Sequence, residues 1–263
     1  MQRSRPLLRI RIIFLLITAA FIIFTVGAVV LFLMNVRIQT VTVENCVYSD
    51  EQSIISAAGI KKGTHSYAID KEEIAKSIKE KNSYVSDVRV KRTGPTSVVL
   101  ILTEDPPCFR TLYENRYLVL SAGLRVLDEY SSPEEAPHVG IAPIKLMPIE
   151  SAELGKEITF TEENEGDRSE YVSMLSAIHT SLLEGNVTSA DISCRFDIRI
   201  TYKDKYEIRF GSPKNFEKKL ALVIDTVLFL EDPENNYSGA KGIIRANVDG
   251  ETSFEPTGAI SGQ

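Results

Sequence analysis

The chain of 263 residues contains no tryptophan, three cysteines and three histidines. Three cysteines cannot all pair internally, and Cys46, Cys108 and Cys194 are too far apart for the CxxC spacing of zinc or redox sites. At least one is read as a buried, inert thiol. One long-range disulfide stays open, because an exported domain can meet an oxidising compartment. His65, His138 and His179 stand alone in sequence, so no ligand pair and no His-centred catalytic arrangement is spelled out. GxSxG, HExxH and phosphate-cradling glycine loops are missing. Acidic pairs such as Glu134-Glu135 and Glu162-Glu163 fall in expected loops and read as solvated surface. Glu104-Asp105 reads as charge at the end of a strand. The expectation is therefore a protein with no catalytic residues, no cofactor, no metal and no small-molecule substrate. Internal repeats are also lacking.

Only one long apolar run is present. Ile12 to Met34 spans 23 residues without Asp, Glu, Lys or Arg. As a helix it rises about 34 Å, enough to cross a hydrocarbon core of about 30 Å. Arg3, Arg5, Arg9 and Arg11 precede it, and only Arg37 follows before Glu44, Asp50 and Glu51. By the positive-inside rule the N-terminus is cytoplasmic and the remainder extracytoplasmic. A cleaved signal peptide is the competing reading. Its apolar region would be 7–15 residues with small residues at the cleavage site, whereas this run is longer and ends in bulky side chains. The expected organisation is a short basic tail over 1–11, a span over 12–34, and everything else outside the membrane.

All 36 acidic residues follow the span, against 26 of the 30 Lys and Arg, so this portion carries a net charge of −10. That disfavours nucleic acid as a partner and does not suggest adhesion to an anionic lipid surface.

Residues 36–103 show a βααββ pattern. Val36, Ile38, Val41 and Val43 start a strand. Ser49, with Gln52 three positions on, opens a helix with Ile54, Ile55 and Ala58 on one face, and Gly59 closes it. Asp70, with Glu73 following, opens a second helix whose apolar face is Ile74, Ala75 and Ile78. Strands then run through Val85, Val88 and Val90 and through Val98–Leu102, turning at Gly94-Pro95. Two short amphipathic helices on one face of a three-stranded sheet bury enough to fold together. Pro106-Pro107 punctuates the end of this unit.

Beyond it the pattern is mostly strands. Tyr117–Leu120, a Ser-Ala-Gly turn and Leu124–Leu127 form a hairpin. Residues 131–151 hold four prolines and read as a long extended connection. A helix over Arg168–Leu183 has Val172, Leu175, Ile178 and Leu182 on its buried face. Ile192–Tyr202 alternates as one half-buried strand and turns at Lys203-Asp204-Lys205 into Tyr206, Ile208 and Phe210. Ser212 and Pro213 open a last helix through Phe216, Leu220, Val223 and Val227. Gly242–Val248 is the final strand, followed by a turn at Asp249-Gly250 and a flexible tail over 249–263. The fold class is α+β: a transmembrane helix, a βααββ domain over 36–105, and a mostly antiparallel β domain over 108–248 with two or more helices. With no nucleophile beside a base, the chain reads as a binding module. Gly242–Val248 is its candidate edge strand for strand addition, with a buried interior strand as the equal alternative.

The order of parts resembles the FtsQ/DivIB family of bacterial cell-division proteins. Val43–Pro107 is similar to that family's POTRA unit, matching at Gly59, Gly63, Asp70, Val85, Val88, Val90, Arg92, Pro95 and Glu104. It departs at Asn45, where Gly is usual, and at Asp105, where Arg is usual. Tyr117–Glu129 resembles the hairpin opening the family's β domain, with Gly123 kept and Ser121 where Asp is common. Ile208–Val227 is similar to the strand, glycine and Lys-Leu helix before the last strand, matching at Gly211 and Lys219-Leu220.

The resemblance implies a non-enzymatic scaffold embedded in the cell membrane at the division septum. Its partners would be small single-pass coiled-coil division proteins of the FtsL and DivIC/FtsB type and other septal proteins, and its role would be to support septal peptidoglycan synthesis. The family's binding region places partner contacts at Ile243, Ile244, Arg245, Ala246 and Phe254. Arg195 and Arg199 would steer an acidic partner. A POTRA-containing scaffold for polypeptide transport or secretion is the alternative. A cell-wall enzyme with a polar cleft is the more distant one.

Overall fold

The structure is a computed structural model that describes residues 5–65, 69–132, 135, 141–237, 239–247 and 251–257. Helix α1 covers Arg5–Asn35, and Ile13–Phe32 within it is long and apolar enough to cross a membrane, with none of that stretch buried in the protein. One such helix near the N-terminus fits a single-pass membrane protein. The chain divides into two compact units, Met1–Glu104 and Asp105–Gln263.

After α1, the first unit runs β1 (Thr40–Glu44), α2 (Glu51–Ala58), α3 (Lys71–Lys81), β2 (Val85–Arg92) and β3 (Ser97–Glu104). The strand order is β1-β3-β2, with β1 parallel and β2 antiparallel to the central β3. Ile54, Ala57 and Ala58 of α2 and Ile74 and Ile78 of α3 pack on Val85, Val88, Val98, Leu100 and Leu102. Burying a side chain of the size of Ile54 or Ile78 contributes about 1.5–3 kcal/mol. Ser77 Oγ donates to the Ala57 carbonyl at 2.8 Å, tying the two helices.

The cap of α2 is Asp50, whose carboxylate accepts from the Ser53 amide at 2.8 Å, and not Ser49 as the capping pattern suggested. Ser49 belongs instead to a turn gathered by Glu104, whose carboxylate accepts from the amides of Val47 (2.6 Å), Tyr48 (2.8 Å) and Ser49 (3.0 Å). Asn45 supplies the positive φ of 61° that turns the chain there. Asp70 caps α3 as expected, and Gly59 closes α2 at φ 64°.

The second unit is built on a nine-stranded mixed sheet, in the order β14-β13-β12-β11-β10-β7-β4-β5-β6. Its strands are β4 (Phe109–Tyr113), β5 (Arg116–Leu120), β6 (Val126–Tyr130), β7 (Ala142–Lys145), β10 (Val187–Asp191), β11 (Ile198–Tyr202), β12 (Tyr206–Gly211), β13 (Gly242–Ala246) and β14 (Thr252–Pro256). β8 (Ile149–Ser151) and β9 (Thr159–Phe160) pair separately. The helices are α4 (Glu162–Glu165), α5 (Arg168–His179) and α6 (Phe216–Glu231). Five junctions of the large sheet are antiparallel and three parallel: β12 with β13, β10 with β7, and β7 with β4. Tyr171, Leu175 and Ile178 of α5 and Phe216, Leu220 and Val223 of α6 share one core with Ile198, Ile200, Ile208, Phe210 and Ile244.

Several expectations are corrected here. β4 was not foreseen because its hairpin turn is Glu114-Asn115, both at positive φ (47° and 63°), a two-residue turn made without the usual glycine. The connection over 131–151 contains β7 and β8, although it holds four prolines. Pro133, Pro137 and His138 lie outside the described residues. Ile192–Tyr202 is not one strand: Asp191 accepts from the Ser193 amide, the chain turns, and Phe196 is 75% exposed. α5 stops at His179, leaving Leu182 69% exposed while Leu183 takes the buried place. Glu162 and Glu163 are helical, not in a loop.

The largest correction is at the C-terminus. Gly242–Ala246 is not an edge. β13 lies between β12 and β14, and the tail expected to be flexible supplies the true edge strand. Val248, the Asp249-Gly250 turn and residues 258–263 lie outside the described residues.

Candidate partner-binding surface

Strands β11 to β14 place their alternate residues on opposite faces of the sheet. Ile198, Ile200, Ile208, Phe210, Ile244 and Ala246 point into the core beneath α6. Ile244 and Ala246 are therefore buried (0% and 7% exposed), which removes both from the accessible surface. Phe254 also lies on the core face, with its ring edge-on to Tyr206 (6.0 Å) and Tyr237 (5.8 Å). Ile243 and Arg245 lie on the opposite face and are half-buried.

The strand register brings three arginines side by side on that face: Arg199 opposite Arg209, and Arg209 opposite Arg245. Acidic side chains interleave them. Arg199 pairs with Asp197 and, at 4.0 Å, with Glu207. Arg209 pairs with Glu207 at 2.6 Å, and Arg245 with Glu255 at 3.1 Å. The hydrogen bond from Arg199 holds the Asp197 carboxyl below the usual carboxylate range and raises the guanidinium in turn. Arg195 is not beside them. It sits in the turn before β11 and pairs with Asp167 at 2.9 Å. The two arginines expected to steer a partner are thus separated, and both are ion-paired within the chain.

The edge itself is β14. The Asn247 amide donates to Glu251 O and the Thr257 amide to Lys241 O, both at 2.8 Å. By antiparallel alternation Ser253 and Glu255 bond inward to β13, while Thr252 and Phe254 turn their amides outward. Pro256 has no amide to offer, so the open edge has two donors and ends at the proline. The opposite edge of the sheet, β6, is partly covered: the Val126 amide donates to Lys156 O, and the Gly155 amide to Val126 O. β14 is held in place at Gly242, where any Cβ would collide with the Glu255 carbonyl and the Phe254 ring. The Asp249-Gly250 pair was the sequence signal for this hairpin. The Ser- and Gly-containing end beyond it concealed the strand.

Among the described residues, groups capable of chemistry do not converge. Cys108 Sγ lies 3.6 Å from His179 Nδ1, but Glu184 Oε1 reaches the same nitrogen at 3.4 Å, so the acid does not orient the imidazole toward the thiol. Burial pushes the Cys108 thiol up to about 11, the wrong direction for a nucleophile. All three cysteines are free. A groove of about 710 Å³ runs past Arg110, Tyr113, Tyr117, Lys145 and Met147, and no His, Cys, Asp or Glu is among its walls. Among the described residues no three His, Cys, Asp or Glu groups are placed to hold a metal.

Residues 36–105 match the family of POTRA domains of the FtsQ type. This segment is an FtsQ-type POTRA domain. The match covers the whole βααββ unit of β1, α2, α3, β2 and β3, from the residue after α1. Together with the apolar helix before it, the POTRA domain is consistent with an FtsQ/DivIB family protein. No curated protein matches the chain. An FtsQ-type POTRA domain supports a division-related scaffold role and division proteins as partners in general.

Proposed function

We propose that this protein is a non-enzymatic, single-pass scaffold of the bacterial division septum. Its N-terminus is cytoplasmic, and its extracytoplasmic β domain, 108–248 extended by β14, recruits small coiled-coil division proteins to support septal peptidoglycan synthesis. The observation that carries the reading is the FtsQ-type POTRA domain directly after a single apolar helix. A strand from the partner adds to β14, taking the outward amides of Thr252 and Phe254. Ile243, Arg245 and Arg199, on the uncovered face beside this edge, contact the side chains that follow. Of the residues the sequence pointed to, Ile244 and Ala246 act only by supporting β13, and Arg195 acts outside the patch.

The test is capture of coiled-coil division proteins of the FtsL and DivIC/FtsB type by the full chain in detergent, for wild type and Thr252→Pro. Proline removes an outward donor while leaving the inward bonds of Ser253 and Glu255. Capture by the wild type, lost from a variant with an unchanged circular dichroism spectrum, supports both role and edge. Capture that survives the proline moves the site elsewhere. A wild type that captures a broad range of unfolded peptides instead supports the transport alternative.

A further inference from the structure

The charge of the extracytoplasmic portion is not evenly spread. Residues 36–105 hold ten basic and ten acidic residues, whereas 106–263 hold 16 and 26. The part next to α1 is neutral and is not repelled by an anionic surface.

Within that neutral part, three cations are brought together beside the end of α1. α1 ends at Asn35, so Arg37 follows within about 7 Å of chain. The next residue is locked to the loop after α2: Ile38 N donates to Thr64 O at 2.9 Å, and Gly63 N to Ile38 O at 2.8 Å. Arg37 itself bridges His65, and its Nη1 donates to Gly63 O at 3.1 Å. The loop carries Lys61 and Lys62 in a tight turn closed by Thr64 N to Lys61 O at 3.0 Å, with Gly63 at φ 94°. Positive φ at the third position of such a turn is the geometry glycine provides. Arg37, Lys61 and Lys62 are all exposed, and no described carboxylate forms an ion pair with any of them. Elsewhere in the protein Arg199, Arg209 and Arg245 all meet acids.

We propose that the Lys61–Thr64 turn, with Arg37, rests on the anionic phospholipid headgroups of the leaflet from which α1 emerges. The proposal rests on α1 being a membrane span. The occupant is argued from chain length: these cations cannot leave the neighbourhood of the bilayer surface while Ile38 stays paired with Gly63 and Thr64. A cation near an anionic leaflet gains about fivefold in local association. The turn thus sets how the POTRA domain stands on the membrane.

The test uses the full chain in nanodiscs of phosphatidylcholine alone or with phosphatidylglycerol, and reads amine acylation of each lysine by mass spectrometry. Lys79, exposed on α3, is the internal reference. The expected result is acylation of Lys61 and Lys62, relative to Lys79, slowed about fivefold or more in the anionic discs. High salt should restore it, because screening at 1 M acts within about 3 Å. Arg37→Gln should weaken the protection of both lysines. Equal acylation in the two lipids overturns the proposal, as does protection by inorganic phosphate in phosphatidylcholine discs, which would indicate a free-anion site. A chain that fails to enter nanodiscs overturns the span and the patch together. Entry without lipid-dependent protection overturns the patch alone.

Discussion

At the scale of single residues, two charged groups hold structure together, Glu104 half-buried and Lys219 buried, and each predicts a pH dependence of opposite cause. Glu104 is penalised by burial, but hydrogen bonds from the amides of Tyr48, Val47 and Ser49 outweigh that and hold its carboxyl below the usual range. Its folded-state affinity for protons is lower than that of the unfolded chain. Its stabilisation is therefore complete above the unfolded value of about 4.3 and is lost as pH falls through the lowered folded value. Glu104→Gln should cost about 1–3 kcal/mol in urea denaturation at pH 7, and the difference from wild type should shrink to nothing in acid. Lys219 is 1% exposed, and its ammonium donates to the carbonyls of Phe210 and Ser212 at 2.8 Å, anchoring α6 to the end of β12. Burial lowers its pKa, so the unfolded chain binds this proton more tightly than the folded one. Stability should rise as pH climbs from the lowered value toward about 10.4. Lys219→Met should abolish that rise and destabilise by about 2 kcal/mol at neutral pH, because both carbonyls lose their shared donor.

At the scale of elements, the POTRA domain and the C-terminal hairpin differ in how readable they were. Capping, helix periodicity and alternation all agreed for α3, β2 and β3, and the structure keeps them. For α2 only the cap moved, from Ser49 to Asp50, since two adjacent residues both offer an oxygen and the long-range demand of Glu104 for the Ser49 amide decides between them. Ile54→Ala, on the fully buried face of α2, should cost about 2–5 kcal/mol by thermal or urea unfolding. β14 is hard to read because Thr252–Pro256 offers one large apolar side chain, Phe254, and its partner β13 already looks terminal. Gly242→Val should dislodge β14 while leaving α6 folded. Hydrogen exchange should show loss of protection at Ser253 and Glu255, since a side chain there meets the Glu255 carbonyl, which cannot move without breaking the β13–β14 ladder. A proline at Ile244, by contrast, breaks an interior strand whose side chain is fully buried. It would report on folding, not on the edge.

At the scale of the whole molecule, α1 decides how the protein is handled. Its apolar side chains are exposed along the helix, with Phe14, Ile23 and Phe24 each over 70% accessible. Removing residues 1–35 should move the protein from the detergent-requiring fraction to the soluble one, as read by ultracentrifugation of membrane preparations. The acidic balance of 106–263 should then keep it dispersed at neutral pH. The span, the α+β class and the POTRA pattern were legible because each is local: a run of apolar residues, a cap beside a periodic face, an alternation of two. The resemblance to FtsQ/DivIB proteins drew on the same local signals. What only the tertiary structure decided is which strand has no neighbour, which arginines already have acids, and which loop lies beside the end of α1. Ile243–Ala246 reads identically as an edge or as an interior strand, because hydrogen-bonding partners on the far side of a ladder leave no mark on a strand's own residues. Lys61 and Lys62 stand more than 20 positions from the end of α1, and only the pairing of Ile38 with Gly63 and Thr64 brings their loop back toward it.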